Sequence, residues 1–234
     1  MTNRAADHPY LAGLFALTMA TGAVDAVSYL ALDRVFTGNM TGNVLFVGFG
    51  FTGAADIPLL NNAIALVGFV VGVIVCGLAV RSRTHHTRLP NANLVALIST
   101  AAVIVALAVV WLLVGRLGGG WLLVVTAVLA LAMGAQAVAV RAAGIPDVST
   151  IVITTTLVNL ALDSPLAGGS GDKWVRRLVA VLAMGTGAAV GALAIRWGSG
   201  ASALLVAAVI MVIGAAALAW ARRYEAMRRR RSEA

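Results

Sequence analysis

Charge is scarce in this sequence: 11% of the residues are Asp, Glu, Lys or Arg, against about 25% in soluble domains. A chain so poor in solvating groups cannot clothe a soluble core. Cysteine is scarcer still, with Cys76 alone; no internal disulfide can form, and nothing follows about the redox compartment. Cys76 lies within an apolar run and reads as a small buried residue. Histidine occurs three times, as His8, His85 and His86, never inside an apolar run. No imidazole is therefore placed to act as a base within a membrane, and no HExxH, GxSxG or paired metal ligands occur. His85 and His86 sit in a basic loop without the Cys, His or carboxylate neighbours that would complete a metal site. No catalytic residue, metal or cofactor is expected, and the chain is not read as an enzyme.

What the sequence does hold is hydrocarbon. Hydrophobic residues make up 61% of the chain, compared with roughly 45–50% in ordinary domains. Apolar runs at 10–32, 59–80, 92–115, 121–140, 178–195 and 201–220 each approach or exceed the ~20 residues that cross about 30 Å of hydrocarbon at ~1.5 Å per residue. The first run is too long, and too lacking in a small-residue cleavage pattern, for a removable signal peptide. The expectation is an all-α polytopic membrane protein with six full spans. The run Ala92 to Gly115 is almost purely aliphatic and reads as scaffold, and Trp111 and Trp121 flank the Gly118-Gly119-Gly120 reversal as interfacial anchors.

Polar residues stand out against this background. Thr18, Thr21, Asp25 and Ser28 recur at spacings of three or four, which places them on one face of the first helix. A carboxyl group inside a span costs about 2.5–3.5 kcal/mol on insertion scales, so Asp25 should face the bundle interior and marks a candidate site. A carboxyl that merely ties helices together is the alternative. Next comes the break Phe36-Thr37-Gly38-Asn39-Met40-Thr41-Gly42-Asn43, followed by Val44 to Phe51, an apolar piece too short to cross. A bilayer tolerates such backbone only where protein or water satisfies its polar groups. Gly38 and Gly42 also fit the small-xxx-small pattern of close helix packing. Gly68, Gly72 and Cys76 give the following span a close-packing face of the same kind.

The second half repeats this order. A long helix carrying Gln136 and Arg141 is followed by the Gly144 to Asp147 break, then by a short piece, Val148 to Leu162, rich in hydroxyls: Ser149, Thr150, Thr154, Thr155 and Thr156, with Asn159 one turn beyond Thr155. Shifting the numbering by 115 brings Gly72 onto Gly187, Cys76 onto Gly191 and Arg81 onto Arg196. The units expected are a first membrane repeat over 1–116, a second over 117–222 and a basic cytoplasmic tail over 223–234, the whole an inverted 3+3 repeat with two short broken or re-entrant helices. If both short pieces re-enter, 14 of the 17 Lys and Arg residues lie on the side of the termini. That agrees with the positive-inside rule and puts both termini in the cytoplasm. Seven spans, with only the first short piece crossing, give the same split, so charge does not separate the two arrangements. The net charge of +8 follows from these flanks and from a lipid-facing tail rather than from nucleic-acid binding.

The run Gly22-Ala23-Val24-Asp25-Ala26, followed by Phe36 to Asn43, resembles the bacterial YoaK family, also called domain of unknown function 1275. The likeness extends along the chain in length and hydropathy; the second half has only Thr154-Thr155-Thr156 where a Thr-Gly-Asn echo is expected. It implies a multi-pass protein of the bacterial inner (cytoplasmic) membrane with about six spans, and it implies no substrate. From the residues themselves, the expected function is transport or channelling of a small solute or ion, with membrane lipids around it and possible association into a homo-oligomer. Asp25, Asn39, Thr41 and Asn43 form the centre of the expected site, supported by Thr21, Ser28, Gln136, Thr155 and Asn159. A half-helix beginning near Gly42 or Asn43 would offer its positive end to an anionic group, so that Asp25 and the helix could hold opposite charges of one substrate. A non-transporting assembly or sensor protein is the alternative, and it predicts a sealed interior.

Overall fold

A computed structural model describes residues 4–53, 57–80, 89–141, 143 and 153–233. The basic loop carrying Arg81, Arg83, His85, His86 and Arg88, the break from Gly144 to Asp147, and Ser149 and Thr150 lie outside the described residues. Eight α-helices are described: α1 (Arg4–Ala31), α2 (Met40–Phe51), α3 (Leu59–Val80), α4 (Asn91–Val114), α5 (Gly120–Arg141), α6 (Ile153–Leu162), α7 (Trp174–Trp197) and α8 (Gly200–Glu233). Six are long and apolar enough to cross a membrane, while α2 and α6 have only 12 and 10 residues, about 18 and 15 Å. The protein is an all-α polytopic membrane protein.

The expected boundaries moved at several points. Helix α2 begins at Met40, ahead of the expected Gly42 or Asn43, because the Asn43 side chain ties back to Phe36 and lets the first turn form early. Gly38 therefore precedes the helix and cannot belong to a helix–helix packing motif with Gly42. Helix α8 runs on through Glu233 and so includes the basic residues from 223 onward. Trp111, near the end of α4, is buried against the protein, with Gly200 leaving the room that its ring occupies.

Side-chain bonds fix the direction of each helix. Asn61, in the first turn of α3, donates to the Leu32 carbonyl at 2.6 Å, so α3 starts at the face where α1 ends. The intervening segment, α2 included, leaves and returns at one face. Trp111 near the end of α4 meets Gly200 at the start of α8 and Ala31 at the end of α1, and Asn93 at the start of α4 donates to Ala139 near the end of α5 at 3.1 Å. Tyr10 near the start of α1 donates to Glu225 in α8 at 2.7 Å. Both ends of the bundle's chain therefore lie at one face. The α6 segment leaves and returns at that face, opposite to the one used by α2.

Helix α1 is the centre of the bundle. In its most apolar window 67% of residues are buried, against 17% for α3 and for α7. It packs along α7 and α8, while α3 packs along α5, α4 joins α5 and α8, α2 lies on α3, and α6 lies on α7. Exchanging α1–α4 with α5–α8 leaves this set of neighbours unchanged. The two closest crossings, α1 with α7 and α3 with α5, are both parallel and both built on glycine. A Cβ at Gly22 would strike the Met184 carbonyl and one at Gly187 the Met19 carbonyl. At the other crossing, a Cβ at Gly72 would strike the Leu131 carbonyl and one at Gly134 the Phe69 carbonyl. Only glycine lets the backbones come this close.

Candidate functional site

The polar stripe of α1 faces inward as its spacing requires: Thr18, Thr21 and Ser28 are fully buried and Asp25 is 5% exposed. Three of the four satisfy themselves locally. Thr18 and Thr21 donate to the Leu14 and Leu17 carbonyls, each at 2.9 Å, and Ser28 donates to the Asp25 carbonyl at 3.1 Å. Asp25 has no such local solution, because an ionised carboxyl only accepts and the helix carries no spare donors.

The break supplies them. After α1 the chain turns through Asp33 and Arg34, at φ 65° and 54°, and folds back along the helix. Thr37 N–H and Gly38 N–H then donate to Asp25 Oδ1 at 3.2 and 2.7 Å, and Asn39 N–H faces the same carboxyl group without hydrogen-bond geometry. Glycine at position 38 eases this approach, since a Cβ there would sit a tight 3.2 Å from both carboxyl oxygens. Asp25 thus lies close to the start of α2, held by the amides of the two residues ahead of its N-cap.

Asn43 holds the turn from the other side. Its Oδ1 accepts from Phe36 N–H at 2.9 Å and its Nδ2 donates to the Phe36 carbonyl at 2.5 Å. It is fully buried; its chemistry is spent on shaping the break.

A cavity of about 760 Å³ opens beside this turn. Asp25, Asn39 and Thr41 line it, so the structure brings together three of the four residues expected at the centre of the site. Gln136 lies apart, donating from Nε2 to Thr21 Oγ1 at 3.0 Å where α5 meets α1. In α6, Thr154 and Thr155 are both exposed, with Thr154 alone of the two lining the cavity, and Asn159 accepts from Arg177 through its carbonyl at 2.8 Å. Arg177 also pairs with Asp163, fastening the end of α6 to the start of α7.

Apolar walls that sequence reasoning missed complete the cavity: Tyr29, Phe36, Phe69 and Met184 all line it. Tyr29 was within reach, because it lies four residues after Asp25 on the same helix face. Phe69 and Met184 carry no chemical signature that separates them from ordinary packing residues. Tyr29 and Phe36 stack with ring centroids 4.9 Å apart. Among the described residues, Asp25 is the only carboxyl group lining the cavity, and no Lys, Arg or His lines it. Asp25 Oδ2 has no hydrogen-bond partner.

Six apolar spans, two short helices connected at opposite faces of the bundle and a cavity at the turn of one of them define a multi-pass helical membrane protein. The chain belongs to the family described as protein of unknown function DUF1275, which matches residues 13–217. It is similar to UPF0700 transmembrane protein YoaK of Bacillus subtilis (strain 168), with 32% identity over 147 residues, 63% of this chain and 64% of that protein. The match thus spans less than two thirds of the relative's length. No solved structure matches the chain.

Proposed function

We propose that this protein carries a small solute or ion across a bacterial cytoplasmic membrane, through a site at Asp25 and the Gly38 to Asn43 break. The observation that carries this reading is the shared cavity: a buried carboxyl group with one oxygen unpartnered lines the same 760 Å³ space as the interrupted backbone of a half-helix. Discontinuous helices beside a midplane cavity are the usual construction of transport sites, and an intramembrane carboxyl group is retained at a cost that favours a working role.

The neighbour set that survives exchange of α1–α4 with α5–α8, together with the two glycine crossings, supports an inverted 3+3 repeat. On this reading the two halves rock about the Gly22–Gly187 and Gly72–Gly134 contacts and expose the cavity to each side in turn. The basic groups Arg141, Lys173, Arg176 and Arg177 and those of α8 lie at the face shared by the two ends of the bundle, which favours a cytoplasmic setting for that face.

The test is flux through proteoliposomes. Asp25→Asn keeps an oxygen for Thr37 and Gly38 but removes the negative charge, so uptake from a panel of small solutes and ions should fall about ten-fold or more for the transported one, the scale of one charge-assisted interaction. Wild-type rates for every permeant would remove Asp25 from the mechanism.

A further inference from the structure

We propose that the cavity selects a small organic cation, a protonated amine with an apolar body, and this rests on the transport reading above. Three features of the wall point to that class. First, Asp25 keeps Oδ1 on the Thr37 and Gly38 amides and leaves Oδ2 without a hydrogen-bond partner, so the carboxyl group at the cavity wall has accepting capacity to spare. An ammonium group in the cavity balances its charge. Second, no basic side chain among the described residues lines the space; an anionic ligand would meet a carboxyl group with no cationic side chain to offset it. Third, the stacked rings of Tyr29 and Phe36 line the same cavity as Asp25. Aromatic faces beside a carboxyl group attract ammonium groups, and more strongly where water is excluded.

Size favours an organic cation over a bare metal ion. A volume of about 760 Å³ lies within the roughly 300–1,000 Å³ of small-molecule sites. Leu30, Leu45, Phe69 and Met184 form much of the remaining wall, which suits a hydrocarbon body, while Asn39, Thr41 and Thr154 supply polar atoms for the cation's hydration.

The experiment uses three probes that share a phenylethyl body and differ at the head: 2-phenylethylammonium, 2-phenylethanol and 3-phenylpropionate. Binding to the full-length protein in nanodiscs is measured against empty nanodiscs, which removes partition into lipid. The ammonium probe should bind about ten-fold or more tightly than either analogue. Asp25→Asn should abolish that preference, and Tyr29→Leu, which leaves the carboxyl group in place, should weaken the ammonium probe alone by about three- to thirty-fold. Equal or tighter binding of 3-phenylpropionate, or an ammonium preference that survives in Asp25→Asn, overturns the proposal. If Asp25→Asn does not fold, an unchanged ammonium affinity in Tyr29→Leu overturns it instead.

A parallel measurement isolates the underlying reading. Thr41→Cys in a Cys76→Ala background is treated with a membrane-impermeant thiol reagent from each side of the vesicle. Labelling without an ammonium preference refutes the cation class and leaves the transport reading standing. No labelling from either side refutes the transport reading itself, and the cation class with it.

Discussion

Replacing Asn43 by aspartate tests how the break is built, because the change preserves size and shape and reverses one end of the side chain. In the native turn Oδ1 accepts from Phe36 N–H at 2.9 Å and Nδ2 donates to the Phe36 carbonyl at 2.5 Å. Asn43→Asp keeps the first bond and sets a second oxygen against the carbonyl. One lost hydrogen bond costs about 0.5–1.5 kcal/mol, and a buried acceptor left unpaired about 1–3 kcal/mol. Phe36 is only partly buried and borders the cavity, so water recovers part of the second cost; the expected loss is about 1–3 kcal/mol in all. Asn43→Leu loses both bonds without the repulsion and should fall in the same range. Acid separates the two variants: once protonated, the introduced carboxyl group can donate to the Phe36 carbonyl, so lowering the pH should restore part of the Asn43→Asp loss relative to wild type and none of the Asn43→Leu loss. Unfolding in mixed detergent micelles, followed by tryptophan fluorescence across pH, provides the assay. Losses under about 0.5 kcal/mol for both variants, the scale of an ordinary surface change, would show that the amide ring does not hold the break.

At the glycine crossings, Gly187→Ala and Gly72→Ala should each destabilise by about 1–3 kcal/mol, because each new methyl meets a backbone carbonyl. Gly185→Ala, on the same helix as Gly187 with open space around it, should be neutral or slightly stabilising in the same unfolding measurement. Removing the charge of Arg177 with Arg177→Met should free the end of α6 from α7 and cost about 1–3 kcal/mol, less than a fully buried pair because the Asp163 side chain is 29% exposed; limited proteolysis around the Asp163 to Lys173 connection should speed up accordingly. Gly38→Ala should lower solute flux with little loss of overall stability, since its methyl would press on both Asp25 oxygens and the Thr21 methyl while the rest of the bundle is untouched.

The spans were legible in the sequence because a bilayer imposes one length on all of them, and the two short pieces were legible because they fall below it. The same physics made Asp25 conspicuous: a carboxyl group amid Ala, Val and Leu has few reasons to persist. Side-chain roles within the break were harder to read. Asn39, Thr41 and Asn43 are alike in polarity, yet Asn43 closes a ring on Phe36 while Asn39 and Thr41 face the cavity, a difference set by helix phase. Thr154 and Thr155 are equivalent by composition and split for the same reason. Trp111 sits near a helix end, where tryptophan ordinarily marks the interface; its burial depends on Gly200, which lies far along the chain and whose missing side chain makes the room. Spacing along α1 likewise does not disclose that the break folds back far enough for its amides to meet Asp25.

The central position of α1 bears on how the protein is made. Synthesis runs from the N-terminus, so the most buried of the spans emerges before α7 and α8, which cover much of it. Until they arrive, the face bearing Thr18, Thr21, Asp25 and Ser28 has lipid or the insertion machinery for a neighbour, and the glycine seats for Met19 and Ala23 do not yet exist. The fold-back of Thr37 and Gly38 onto Asp25 needs only residues within the first 40. It can shield the carboxyl group soon after α1 enters the membrane, which makes this turn a guardian of the nascent chain as well as a wall of the mature cavity.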